Sequence, residues 1–138
     1  MEFPDELYYS KEHIWLRVAG GRGKIGITDY AQQELGEIVF LSLPEENSLI
    51  EQGDVFGTVE SSKTVADLYA PVSGEIVSVN KDLEEEPTLA NDDPYGNGWL
   101  VMVEIDEPSQ LDDLLSAADY ERFLEMAEKA QPGKNKSA

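Results

Sequence analysis

Lys63 stands in the run DVFGTVESSKTVADLYAPVSGEI at 54–76, at the tip of a predicted β-hairpin. The chemistry open to it is that of a primary amine, which on a stiff exposed turn can be reached by a modifying enzyme and acylated, losing its charge. An ordinary solvated lysine is the competing reading. Three features favour chemistry. The tip offers Ser61, Ser62, Lys63 and Thr64, with none of the glycine or asparagine that two-residue turns use to reach positive φ, so turn chemistry alone did not select these residues. Glycine and proline punctuate both flanks. Cations are scarce as well, since between Lys24 and Lys129 the chain holds only Lys63, Lys81 and Arg122.

The other reactive side chains make a poor catalytic kit. With no cysteine in the chain, thiol catalysis, disulfides and thiolate metal sites are excluded. His13 is the single histidine, and in such a setting it is expected to be a packed or hydrogen-bonded residue rather than a proton carrier. Gly20, Gly21 and Gly23 do not match the GxxxxGK[ST] phosphate loop and no helix follows at once, so they read as a hairpin turn. Carboxylates crowd at Glu84–Glu86 and in NDDPYGNG at 91–98. The D-x-D-x-D-G order of a calcium loop is absent, and a solvated acidic loop with no metal is expected.

A chain of 138 residues with 41% hydrophobic content suits one compact domain, placed at 1–130, with the lysine-bearing tail at 131–138 expected to be flexible. The formal net charge of −19 opposes phosphate backbones and anionic lipid surfaces. The acidic start MEFPDELYYS has no apolar signal region, and no run approaches the ~20 apolar residues of a membrane helix. The expectation is a soluble, cytoplasmic protein.

Strands are predicted at Ile14–Val18 and Lys24–Ile27, joined by a turn at 19–23, then at Glu37–Leu43, Val55–Glu60, Val65–Ala70, Glu75–Val79 and Trp99–Ile105. Period-2 alternation puts Val55, Gly57 and Val59 on one face, Phe56 and Thr58 on the other. Thr28 or Asp29 can cap a short helix through TDYAQQEL, with Gly36 after it. Residues 80–98 read as loop. From Ser109 the pattern turns helical, with Tyr120, Phe123, Leu124 and Ala127 at helical spacing before Pro132-Gly133. Short strands with close turns describe a mostly-β sandwich or barrel on which the terminal helix packs its apolar stripe.

The segment ESSKTVADLYAPVSGEI resembles the lipoyl-attachment segment of the glycine cleavage system H proteins, a family of lipoyl carriers. The likeness runs from Tyr9 to about Phe123 and includes KEHIW at 11–15, GITDYAQQELGEIVF at 26–40 and DPYGNGWL at 93–100, in the family's order. The resemblance implies a barrel-sandwich hybrid of the lipoyl/biotinyl kind, with a short internal helix and C-terminal helices. It makes Lys63 the residue that carries lipoate through an amide. Glu60, Asp67, Glu12 and His13 would be attachment-recognition or cleft residues.

By the same resemblance the protein is a non-catalytic carrier, with the redox chemistry left to its cofactor. The lipoyl arm would shuttle an aminomethyl group from a pyridoxal-phosphate glycine decarboxylase to an aminomethyltransferase of one-carbon metabolism. A dihydrolipoyl dehydrogenase would then reoxidise it, and a lipoate ligase or a lipoyl or octanoyl transferase would load it. In isolation the carrier is expected to be a monomer. The acidic surface suits reversible encounters with basic partners.

Two departures from the family pattern stand out. The family's His-Glu-Trp is here His13-Ile14-Trp15, so an apolar side chain replaces a carboxylate of the polar cleft into which the loaded arm folds. Glu12, two positions earlier and ~6.6 Å away on an extended strand, would share that face and compensate in part. Ser62 and Thr64 also replace the valine and alanine common beside the lysine. A lipoate relay, handing lipoate to other apo-proteins or serving another lipoate pathway, is the alternative within the carrier class. Biotinyl domains carry methionines beside their lysine, and the lipoyl domains of 2-oxoacid dehydrogenases lack ITDYAQQELG and DPYGNGWL. An unmodified β-rich interaction module, or an enzyme using Asp92 and Asp93, is the reading from other classes.

Overall fold

The computed structural model describes residues 1–130, so the tail at 131–138 lies outside the described residues. In chain order the strands are β1 (Tyr8–Tyr9), β2 (Ile14–Ala19), β3 (Arg22–Ile27), β4 (Ile38–Ser42), β5 (Leu49–Ile50), β6 (Val55–Ser61), β7 (Val65–Tyr69), β8 (Gly74–Val79) and β9 (Val101–Ile105). The helices are α1 (Asp29–Leu35), α2 (Asp82–Glu85), α3 (Leu89–Asp92) and α4 (Ala117–Ala130), with a 3-10 segment at Pro108–Asp113. A six-stranded antiparallel sheet, ordered β1-β2-β3-β9-β8-β5, faces a three-stranded one ordered β4-β6-β7. This mostly-β architecture is consistent with the barrel-sandwich hybrid expected from sequence. No helix among the described residues is long and apolar enough to cross a membrane.

Local chemistry explains the best-anticipated elements. The β2–β3 turn narrows to Gly20 and Gly21, both at positive φ (59° and 77°), the conformation that a tight two-residue hairpin demands of both central residues. Thr28 is the N-cap of α1: its Oγ1 accepts from the Ala31 N–H at 3.1 Å, which is worth about 1 kcal/mol relative to alanine. Gly36 closes the helix at φ 78°, its N–H donating to the Gln32 carbonyl.

Packing corrects the rest. Phe56 and Val59 are both buried while Val55 is exposed, because a β-bulge between Val55 and Gly57 sets two β6 steps against one on β7 and breaks the expected alternation. Residues 80–98 hold α2 and α3, whose Leu83 and Ala90 enter the core. The C-terminal helical pattern divides at Leu115, which bridges Tyr9 through paired backbone hydrogen bonds of 2.8 and 2.7 Å. The two-residue strands β1 and β5 are too short for alternation to reveal.

Two apolar clusters result. Between the sheets pack Ile14, Leu16, Ile25, Ile38, Val59 and Ile76 among others. On the other side of β2, Trp15 joins Tyr9, Tyr95, Tyr120 and Leu124 beneath α4. Both faces of β2 are therefore covered, which is why its IWL run is continuously apolar.

Candidate functional site

The lysine-bearing tip is built around Ser61, not around a glycine. The Ser61 N–H donates to the Thr64 carbonyl at 2.8 Å, and its hydroxyl oxygen accepts from the N–H groups of Lys63 and Thr64 at 3.2 Å each. None of Ser62, Lys63 and Thr64 takes a positive φ. A buried side-chain acceptor thus closes the turn that sequence alone left without an explanation. The Ser62 N–H donates to the Glu37 carbonyl at 3.0 Å, tying the tip to the start of β4.

Lys63 is exposed, and no ion pair among the described residues involves it. Its stem lies over Gly36, where a Cβ would stand 2.9 Å from the lysine Cε. Asn91 braces this floor: its Nδ2 donates to the Gly36 carbonyl at 2.7 Å, while its Oδ1 accepts from the Ile38 N–H at 2.9 Å. Gly36 and Asn91 were not singled out as site residues by the sequence. The positive-φ glycine was the one available signal, and Asn91 lay in a segment read as loop.

Beside the hairpin lies a cleft of about 250 Å³ between α1 and the β6–β7 strands. Its floor is apolar, formed by Ile14, Ile27, Val59 and Leu68, and Glu12, His13, Glu34 and Asp67 also line it. A cleft expected to be polar therefore has an apolar floor edged by acid. The fold gathers Glu12, His13 and Asp67 here, whereas Lys63 and Glu60 are not among its lining residues.

Glu12 reaches the cleft by a different geometry from the extended strand expected. β2 begins only at Ile14, and His13 has φ 70°, in a turn where its N–H donates to the Ser10 carbonyl at 3.1 Å. A strand spacing between Glu12 and Ile14 does not apply.

His13 is packed, near Tyr30 at 4.8 Å between ring centroids, and its Nδ1 lies 2.8 Å from the Tyr120 hydroxyl. That hydroxyl is also 2.8 Å from Thr28 Oγ1. Burial holds the His13 imidazole below its ordinary value and favours the neutral form. Burial likewise drives the Tyr120 phenol upward, so it stays protonated. Because the folded imidazole has the lower value, the unfolded chain binds the proton first as pH falls through 6.5, and the stability present above that pH is lost. In urea titrations, the stability margin of the parent over His13→Asn, which tolerates positive φ, is expected to narrow across this window. A pH-independent margin would remove His13 titration as the cause.

In the acidic loop, Asp93 Oδ2 accepts from the Asn97 N–H at 2.8 Å, so this carboxylate closes its own turn. No group of three potential ligands among the described residues could hold a metal ion.

Residues 7–127 match the family model described as glycine cleavage H-protein. The chain is 55% identical over 124 residues to the glycine cleavage system H protein of Staphylococcus haemolyticus, covering 90% of this chain and 98% of that one. It is 55% identical over 122 residues to that of Carboxydothermus hydrogenoformans, covering 88% and 94%. The crystal structure of a glycine cleavage system H protein from Mycobacterium marinum superposes with a TM-score of 0.76 at 38% identity, covering 86% of this chain and 95% of that one.

Proposed function

The chain belongs to the glycine cleavage H-protein family, and from that premise we propose that Lys63 is the residue on which it bears its lipoyl group. The protein is a lipoyl carrier of the glycine cleavage system. The observation that carries the assignment is the Lys63 amine: exposed, outside any ion pair among the described residues, on a turn closed by Ser61, its stem in the space left by Gly36. A lysine so placed fits a group that must be attached from outside. The amine attacks an activated carboxyl of lipoate, forming the amide, releasing the activating group and a proton, and cancelling the lysine charge.

Lipoate supplies the redox-active sulfurs that a chain without cysteine lacks. The protein's own residues do the holding. Ile14 and Leu68 offer apolar surface to the arm, while Glu12, Glu34 and Asp67 favour a cationic amine over an anion near the cleft. His13, neutral and bonded to Tyr120, keeps α4 against the cleft wall without contributing charge. Catalysis then lies with the partners: a glycine decarboxylase, an aminomethyltransferase, a dihydrolipoyl dehydrogenase, and the ligase or transferase that loads Lys63. A net charge of −19 suits brief encounters with basic surfaces on each.

The test is intact-mass analysis after co-expression with a lipoate ligase, followed by peptide mapping. One lipoyl group is expected, on the peptide that contains Lys63. An unmodified chain, or a label on another lysine, would overturn the assignment.

A further inference from the structure

Resting on that reading of Lys63, we infer that the outer face of the β4–β6–β7 sheet, at Val39, Phe40 and Val65, is the docking surface for the enzyme that acylates the lysine. The partner's contact is an apolar socket with a basic rim. Phe40 pairs with Glu60 and Glu60 with Val65, so the three side chains form one cross-strand row on one face. Phe40 and Val65 are 58% and 63% exposed, which makes this row open surface and not core.

The backbone departs from regularity to create it. Successive residues of a regular strand face opposite sides, so one of Val39 and Phe40 would turn inward. A register shift between Ile38 and Phe40 sets two β4 steps against one on β6, and both side chains stay outside, Val39 at 47% exposure. Bulges re-aim side chains in this way. From Phe40 the apolar surface continues into a groove of about 530 Å³, with Leu43 and Leu83 among its walls.

Position and charge select the occupant. Val65 lies two residues from Lys63, at the first position of the strand that leaves the tip. A loading enzyme whose footprint centres on the lysine and covers about 800 Å² of this chain must bury the row. Glu37, Glu60 and Asp67 are exposed around it, and Lys63 is the sole cation between residues 25 and 80. A second copy of the chain would bring like charges together, with −19 on each. A basic-rimmed enzyme is complementary.

The experiment follows acylation of Lys63 by a lipoate ligase with lipoate and ATP, by intact mass over a range of carrier concentrations. Phe40→Ser/Val65→Thr is expected to raise KM about 10-fold with kcat nearly unchanged. Val65→Thr alone, which keeps shape and strand preference, should shift KM in the same direction by less. Val55→Thr, exposed at the opposite end of the hairpin, should behave as the parent. A parent that is acylated while the double variant keeps kcat/KM within about twofold overturns the docking surface and leaves Lys63 standing. A parent that takes no lipoyl group overturns the assignment of Lys63 and this surface with it. Concentration-dependent dimerisation of the parent, lost in the double variant, would give the face to a second copy instead.

Discussion

Lys63→Arg is expected to give a folded protein with no lipoyl group and no carrier activity. The guanidinium keeps the positive charge and much of the stem length, but it stays protonated at any working pH and leaves no free nucleophile to acylate. Lys63 is exposed and takes no part in an ion pair among the described residues. Surface changes of that kind usually alter stability by less than about 0.5 kcal/mol. Thermal unfolding should therefore match the parent while intact mass shows no adduct and reconstituted glycine decarboxylation falls to background. Residual turnover in this variant would mean that another residue bears the arm. Loss of turnover together with unfolding would mean that the lysine is structural.

Trp15→Ala is expected to produce the largest loss of stability in the chain, about 3–5 kcal/mol, with a fall in Tm of roughly 10–20 °C. Trp15 is fully buried, and its Nε1 donates to the Pro94 carbonyl at 2.9 Å. Its ring lies over the cross-strand partner Gly26, where a Cβ would stand 2.6 Å from three indole atoms. Truncation removes a large apolar surface, opens a cavity above a glycine that cannot fill it, and strands a buried carbonyl. Trp15→Phe keeps an aromatic ring but loses the Nε1 donor and part of the indole's volume, so a smaller cost of about 1–3 kcal/mol is expected. Calorimetry or urea unfolding separates the two. Equal losses would show that the Pro94 hydrogen bond matters more than the packing.

Trp15 also gives a physical reason for the separated motifs. KEHIW supplies the indole, GITDY the glycine beneath it, and DPYGNGWL the carbonyl that receives its N–H. Their order along the chain is therefore one contact read in three places. Tyr95 extends it: its hydroxyl donates to the Glu2 carbonyl at 2.6 Å and accepts from the Asp29 N–H at 2.9 Å, tying the N-terminus to the start of α1. The Asp29 carboxyl, though burial pushes it up, is held below its usual value by hydrogen bonds from Glu2, Gln32 and Gln33.

Legibility varied with the range of the cause. Lys63 could be singled out because its turn lacks the glycine or asparagine of a positive-φ hairpin turn, which Ser61 replaces, and the α1 limits could be read from Thr28 and Gly36. The facing of β6 could not, since alternation assumes a regular strand and the bulge at Phe56 comes from pairing with β7. The same holds for Val39 and Phe40. Glu12 was placed near the cleft by a strand geometry that His13, at positive φ, does not permit. Asn91 gave no signal because its partners, two backbone groups and the Gln32 side chain, are 53, 55 and 59 residues away.

Residue types and near neighbours alone were enough for the long strands, the capped helix, the amine at Lys63 and the absence of competing thiol chemistry. Each depends on residue identity or on neighbours a few positions apart, where backbone sterics and hydrogen-bonding capacity act directly. Which faces those strands present, that Ser61 closes the tip, that Gly36 and Asn91 support the lysine, and that the cleft floor is apolar were set by the folded arrangement. Those outcomes follow from register and from close packing between segments far apart in the chain, which no local pattern encodes.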